Sequence, residues 1–231
     1  MNETRRTELK GRALTLGIAL GGAFAVTVLL LWALSSSFGD AFRLFFAAPF
    51  GNTYYLGNML AEVGILVLAG LGAGVAFGSR NFNLGGEGQV YLGSVVTAAT
   101  CLALPSGNPV LVPVLAAIAG ALSGSLLGWL SGQLRLSLGV DELISSFLVS
   151  AAVVYFCDFV VTGPLQDPSS NFQATGPIPE AFRFARIMPP SSLSTAVVPV
   201  LAILVLMAVL LARTRFGFEL SLMGKNAEFA R

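Results

Sequence analysis

Long uncharged apolar runs alternate with short polar breaks along this chain, at intervals that suit the width of a lipid bilayer. Residues 13–34 carry no charge, and neither do residues 63–79 or 88–134. A hydrocarbon core of about 30 Å needs about 20 helical residues at about 1.5 Å each. On that measure six spans can be drawn, over residues 13–34, 56–77, 90–104, 110–130, 143–161 and 196–212. The third is short. Pro105, Gly107 and Pro109 separate it from the fourth, since proline and glycine interrupt a helical run. The pattern predicts an all-α, polytopic transmembrane helical bundle forming one membrane domain over residues 1–231.

The most informative break follows the second span. Asn81, Phe82, Asn83, Leu84, Gly85, Gly86, Glu87, Gly88 and Gln89 make a glycine-rich polar segment between two apolar runs. Irregular polar backbone at membrane depth is tolerated only where protein buries it or a wet cavity solvates it. A carboxylate, two asparagines and a glutamine around three glycines therefore point to a built site, with a cytoplasmic turn as the plainer alternative. The glycines Gly85, Gly86 and Gly88 allow close backbone packing, and Glu87 is read as holding a re-entrant turn rather than touching a solute.

Composition supports the membrane reading. Apolar residues make up 55% of the chain, charged residues 11%, and mean hydropathy is +0.80. Histidine is absent, which removes imidazole-based triads, histidine zinc sites and imidazole proton relays. Cys101 and Cys157 fall in apolar runs and read as small buried hydrophobes without a disulfide. The net charge of +1 gives no sign of nucleic-acid binding. No HExxH, CxxC or Walker-type loop occurs, so the chain is expected to be no enzyme and to hold no cofactor or metal.

Positive charge sets the orientation. With the N-terminus in the cytoplasm, the inside receives Arg5, Arg6, Lys10, Arg12, Arg80, Arg135, Arg213, Arg215, Lys225 and Arg231, ten of the 13 positive residues. The outside receives Arg43, Arg183 and Arg186. The N-terminal run is too long for a secretory h-region and lacks a convincing cleavage site, so it reads as a first span. The longest extramembrane segment is then an external, proline-rich loop over residues 162–195, in which residues 180–187 could form a short helix.

Gly120, Gly124, Gly128 and Gly132 recur every four residues along the fourth span and bare one helix face for close packing. Gly70, Gly74 and Gly78 repeat the device in the second span, and Gly17 with Gly21 in the first. Four carboxylates lie at or near membrane depth: Glu62, Asp141, Glu142 and Asp158. Such groups must face the bundle, water or an interface. Asp141 and Glu142 also suit a helix N-terminus.

The residues now converge on a known pattern. The segment from Asn81 to Gln89 resembles the N-(I/L)-G-(A/G)-E-G-Q signature of bacterial ABC-transporter permeases in the branched-chain amino acid/ribose superfamily. It is most similar to the simple-sugar/nucleoside branch, whose partners are basic-membrane-lipoprotein binding proteins. Gly139-Val140-Asp141-Glu142-Leu143-Ile144-Ser145-Ser146 is similar to the family's G-V-N-E-V-I-S-T. Val161-Thr162-Gly163-Pro164-Leu165-Gln166-Asp167-Pro168 resembles its V-x-G-P-L-x-D-P. The stretch from Arg213 through Gly217 and Gly224 to Arg231 resembles R-T-x-x-G-x-x-L-x-x-x-G-x-N-x-x-A-A-R. Four motifs in register cover essentially the whole chain.

The resemblance implies a permease subunit of an ABC importer in the bacterial inner membrane, moving a small polar solute such as a nucleoside or simple sugar. It implies a substrate pathway between two permease subunits and no ATPase motif of its own. It also implies a cytoplasmic coupling segment within residues 213–231, with Gly224, Lys225, Asn226, Glu228 and Arg231 meeting the ATPase. The implied partners are ABC ATPase subunits that use the ATP, a second related permease, and an external solute-binding lipoprotein. Asp141 stands where the family usually has asparagine. Relatives continue for several more spans beyond the position of Arg231, so the chain is expected to be a C-terminally truncated or partial permease. The alternative is an ion-gradient-driven secondary transporter or channel, in which Glu87 and Glu62 act as coupling carboxylates around a discontinuous helix.

Overall fold

Helices take up the long apolar runs in the computed structural model, which describes residues 3–225. In chain order they are α1 (Glu3–Leu34), α2 (Phe38–Phe46), α3 (Ala48–Gly51), α4 (Thr53–Gly78), α5 (Gly86–Ala103), α6 (Leu111–Leu138), α7 (Glu142–Thr162), α8 (Val197–Arg213) and α9 (Arg215–Lys225). Among the described residues no strand forms, and β-pairing is confined to two isolated bridges, Gln166 with Thr175 and Arg186 with Ser194. The protein is all-α and polytopic.

Four helices are long and apolar enough to cross a membrane: α1 over Ala13–Leu34, α4, α6 and α7. The pair α8 and α9 would make a fifth, but it bends by 72° at its break. The six expected spans differ from this in two places. Helix α5 begins at Gly86 rather than at residue 90, so its first turn carries Glu87 and Gln89. Those polar residues leave it short of the apolar content of a full span. Helix α8 ends at Arg213, and the chain turns sharply at Thr214 into α9. A Cβ on Gly217 would overlap the Leu211 carbonyl, so a glycine is needed for α9 to fold back this tightly.

Two compact units are distinguished: residues up to Leu60 with Met188–Leu193, and Ala61–Ile187 with the residues from Ser194 onward. In the first, Phe24 of α1 packs on Phe46 of α2 at a ring-centroid distance of 5.2 Å, and Phe42 joins at 4.7 Å from Phe46. Ser191 is buried against Gly57 of α4, where any side chain on residue 57 would collide with the serine. Asn58 Oδ1 accepts hydrogen bonds from the Ser192 amide at 2.7 Å and its hydroxyl at 2.8 Å.

The second unit centres on α5, α6 and α7. Its apolar core joins Cys101, Val112, Ala116 and Phe182, with Ile178 packed on the edge. Phe182 comes from the proline-rich loop. The short helix expected over residues 180–187 is reduced to a single 3-10 turn at Glu180–Phe182, preceded by Pro179 and followed by extended backbone at Arg183. Burying Phe182 and donating Arg183 Nε to the Ile178 carbonyl at 2.7 Å ties this part of the loop onto α5 and α6. Both cysteines are buried and free.

Helix α6 runs past residue 130 to Leu138, where Gly139 takes a left-handed conformation (φ 66°) that ends it. A left-handed C-terminal residue favours glycine because no Cβ meets the carbonyl. Two residues on, Asp141 caps α7 by accepting from the Leu143 amide at 2.9 Å. The Gly139-Val140-Asp141-Glu142 sequence is thus a helix stop followed by a helix start.

Candidate functional site

The polar segment after α4 divides into two parts. Residues 81–85 are non-helical, and Gly86 to Gln89 form the first turn of α5. Arg80 precedes them in the left-handed region (φ 60°), which redirects the chain out of α4. Asn83 Oδ1 then accepts from the Gly85 amide at 2.7 Å, making a local turn.

A helix start leaves its first amides without intrahelical partners. Here α7 supplies two acceptors. Ser146 Oγ accepts from the Leu84 amide at 2.9 Å, and Ser150 Oγ accepts from the Gly88 amide at 2.8 Å. The two serines stand one helical turn apart on α7, so a single face of that helix caps the start of α5. Both are buried. Among the described residues no buried side-chain nitrogen or oxygen lacks a hydrogen-bond partner. Replacing Ser150 by alanine should leave the Gly88 amide unpaired at a cost of about 1–3 kcal/mol. A thermal-unfolding scan in detergent should show a lower midpoint for S150A and near wild-type behaviour for S150T.

Glycine contacts complete the seam. A Cβ on Gly88 would lie 2.8 Å from Ser150 Cα, and one on Gly85 would lie 3.3 Å from the Ser146 carbonyl. On the opposite side, Gly120, Gly124 and Gly128 of α6 face α5. Gly120 meets the Gly93 carbonyl at 2.7 Å, Gly124 the Gln89 carbonyl at 3.0 Å and Gly128 the Gln89 side chain at 3.4 Å, measured from the missing Cβ. Three of the four α6 glycines therefore do what their spacing implied. Gly132 has nothing within 4 Å, and neither do Gly17, Gly21, Gly70, Gly74 and Gly78 at their own missing Cβ positions. Gly86 is likewise open and exposed, so the close packing expected of all three motif glycines holds for Gly85 and Gly88 alone.

Charges collect at one end of the seam. Arg135 of α6 donates through Nη1 to Asn81 Oδ1 at 2.7 Å and to Glu142 Oε2 at 2.8 Å. One guanidinium thus ties the polar segment, α6 and α7 together. Glu142's side chain is 11% exposed against 48% for Arg135, so the carboxylate is the partner that depends on the pair. Farther along, Asp158 Oδ1 accepts from the Tyr91 hydroxyl at 2.6 Å, linking α7 to α5. Glu62 and Glu87 are both exposed and make no hydrogen bond or ion pair among the described residues.

Where α5 meets α6, an open groove of about 520 Å³ is lined by Gln89, Ser94, Thr97, Gly120, Gly124 and Ser125. Of the motif's polar side chains, Gln89 alone lines it. Asn81 and Asn83 are engaged in the hydrogen bonds described above, and Glu87 lies outside the lining. Sequence reasoning missed Ser150, Tyr91, Ser94 and Thr97. The i, i+4 spacing of Ser146 and Ser150 in an apolar run was the signal available. Gly224, the first named residue of the expected coupling segment, lies on α9, where a Cβ would overlap the Gly78 carbonyl and lie 4.0 Å from Ser79 Cα. Lys225 ends α9, while Asn226, Glu228 and Arg231 lie outside the described residues.

A family model described as the permease component of a branched-chain amino acid transport system matches residues 55–231, which include the whole seam. The chain belongs to this permease family. It is 32% identical over 218 residues to the "Probable riboflavin import permease protein RfuC" of Treponema pallidum, covering 94% of this chain and 57% of that one. It is 29% identical over 226 residues to the glucose ABC transporter permease protein TsgB13 of Haloferax volcanii, covering 90% and 57%. With the nucleoside ABC transporter permease protein NupB of Lactococcus lactis it shares 25% identity over 235 residues, covering 98% and 63%. The chain therefore spans about three-fifths of the length of these relatives. No solved structure matches it significantly. Family membership and the apolar helices make this a multi-pass membrane protein.

Proposed function

We propose that this chain is the permease subunit, or the greater part of one, of an ABC importer for a small polar solute in the bacterial inner membrane. The observation that carries this reading is the family match over residues 55–231, which takes in the polar segment and the α5–α6–α7 seam built around it. Relatives named for riboflavin, glucose and nucleoside transport support a nucleoside, simple sugar or similar hydroxyl-rich cargo. The groove of Gln89, Ser94, Thr97 and Ser125 suits such a cargo, offering an amide and hydroxyls on a small-residue floor. In this account Asn81, Asn83, Gly85 and Gly88 hold the pathway's wall, and Gln89 meets the solute.

The N-terminus is assigned to the cytoplasm on the positive-charge bias, which, with α5 and α8 each crossing the membrane beside the four apolar spans, puts residues 162–195 outside and residues 213–231 inside. The external loop would face a solute-binding lipoprotein. Gly224, Lys225, Asn226, Glu228 and Arg231 would meet an ATPase subunit, and a second related permease would close the pathway. ATP is consumed by the ATPase, and this chain needs no cofactor of its own.

Uptake by cells expressing the chain with an ABC ATPase subunit and a solute-binding lipoprotein tests the cargo. Labelled guanosine, glucose and riboflavin are offered beside labelled leucine. The account expects gene-dependent uptake of at least one of the first three, lowered by Gln89→Ala. Gene-dependent uptake of leucine alone would contradict it.

A further inference from the structure

A polar notch of about 330 Å³ lies beside the seam, lined by Arg80, Phe82, Arg135, Asp141 and Glu142. Its charges are unevenly committed. Arg135 is paired with Glu142 and Asn81, and Asp141 is occupied as the cap of α7. Arg80 is exposed and makes no ion pair or side-chain hydrogen bond among the described residues. Among the described residues the notch thus presents one uncommitted positive charge.

Two further observations concern Arg80. Its backbone is left-handed (φ 60°), a region in which glycine is comfortable and a residue with a Cβ is disfavoured. An arginine kept in a glycine's conformation points to work done by the guanidinium. Helix α9 also approaches this turn: a Cβ on Gly224 would overlap the Gly78 carbonyl and lie 4.0 Å from Ser79 Cα, immediately before Arg80.

We propose that this notch is a second docking point for the ATPase subunit, with Arg80 taking an acidic side chain of that subunit. The inference rests on the ABC-importer reading and on the cytoplasmic placement of Arg80. A partner that grips α9 at Gly224 is brought next to the turn at Ser79 and Arg80, and a carboxylate is the complement to a guanidinium that is unpaired among the described residues. Docking there would seat the ATPase on the turn that feeds directly into residues 81–89. A push at the coupling segment would then reach the start of α5 through one turn of chain.

The test is retention of the ATPase on the tagged permease, isolated as the full transport complex in mild detergent. Arg80→Gly removes the guanidinium and relaxes the backbone, so the chain itself should keep or raise its unfolding midpoint. Retention in R80G and R80E should fall about 3- to 10-fold, on the scale of one charge pair. The wild-type loss on raising salt should be steeper than that of R80G. Deleting residues 224–231 should abolish retention. Unchanged retention in both Arg80 variants, with the deletion still abolishing it, would overturn the notch and leave the importer reading intact. Rescue of R80E by Glu228→Lys would place the acidic partner within this chain and also overturn the proposal. A wild-type chain that retains no ATPase would sink both.

Discussion

Gly88→Val should eliminate transport and lower the amount of folded chain recovered from membranes. The missing Cβ of Gly88 points at the backbone of Ser150, 2.8 Å from its Cα and 2.9 Å from its carbonyl oxygen. A flexible side chain can swing aside, but a helix backbone can move only with its helix. Overpacking of this kind costs about 1–3 kcal/mol and more when the neighbour cannot yield. Displacing α7 would also break the hydrogen bonds from Gly88 to Ser150 and from Leu84 to Ser146, which cap α5. Gly88→Ala should lie between wild type and valine. Gly86→Ala, two residues away, meets nothing within 4 Å and should leave folding and uptake unchanged. Unfolding midpoints of the three variants check the ordering, and equal effects at Gly86 and Gly88 would contradict the seam.

Gly224→Val should uncouple the chain while leaving it folded. A side chain at Gly224 would overlap the Gly78 carbonyl at the end of α4, so α9 must shift away. The clash lies outside the α5–α6–α7 core, and the unfolding midpoint should change little. Gly224, however, would no longer lie beside the turn at Ser79 and Arg80. Uptake should fall at least about 10-fold, as a loss of about 1.4 kcal/mol in the coupled state implies. Normal uptake by a correctly inserted G224V chain would show that this contact is dispensable.

How much of this was legible in the sequence depended on whether a residue acts along its own helix or across to another. The segment from Asn81 to Gln89 stood out because it interrupts apolar runs, and Gly120, Gly124 and Gly128 because their spacing defines one helix face. Asp141 showed as suited to a helix N-terminus because that signal is local, and the structure makes it the cap of α7. Ser146 and Ser150 did not show as caps of α5, because their acceptor role spans 62 residues of sequence. A serine inside an apolar helix reads as bonding its own preceding turn, as Ser131 does to Leu127.

Boundaries failed for related reasons. Consecutive glycines at 85 and 86 read as a break on propensity, yet α5 starts at Gly86 because α7 satisfies its first turn. The bend between α8 and α9 has no proline to announce it. Its signal is Gly217, whose closeness to Leu211 appears only once the chain has folded back. Gly132 belongs to the same four-residue series as Gly128 but lies beyond the start of α5, so the series outlasts the helix it packs on.

If a partner ATPase drives transport through this chain, the energy source of uptake is ATP and not an ion gradient. Labelled solute uptake is followed in cells expressing the chain with its partners, under two separate treatments. One collapses ion gradients with ionophores while ATP is maintained; the other depletes ATP while the gradients are held. Uptake should survive the first treatment and disappear under the second. Uptake that stops with the gradients and persists without ATP would contradict ATPase-driven transport, and would make Glu87 and Glu62 the residues to examine as coupling carboxylates.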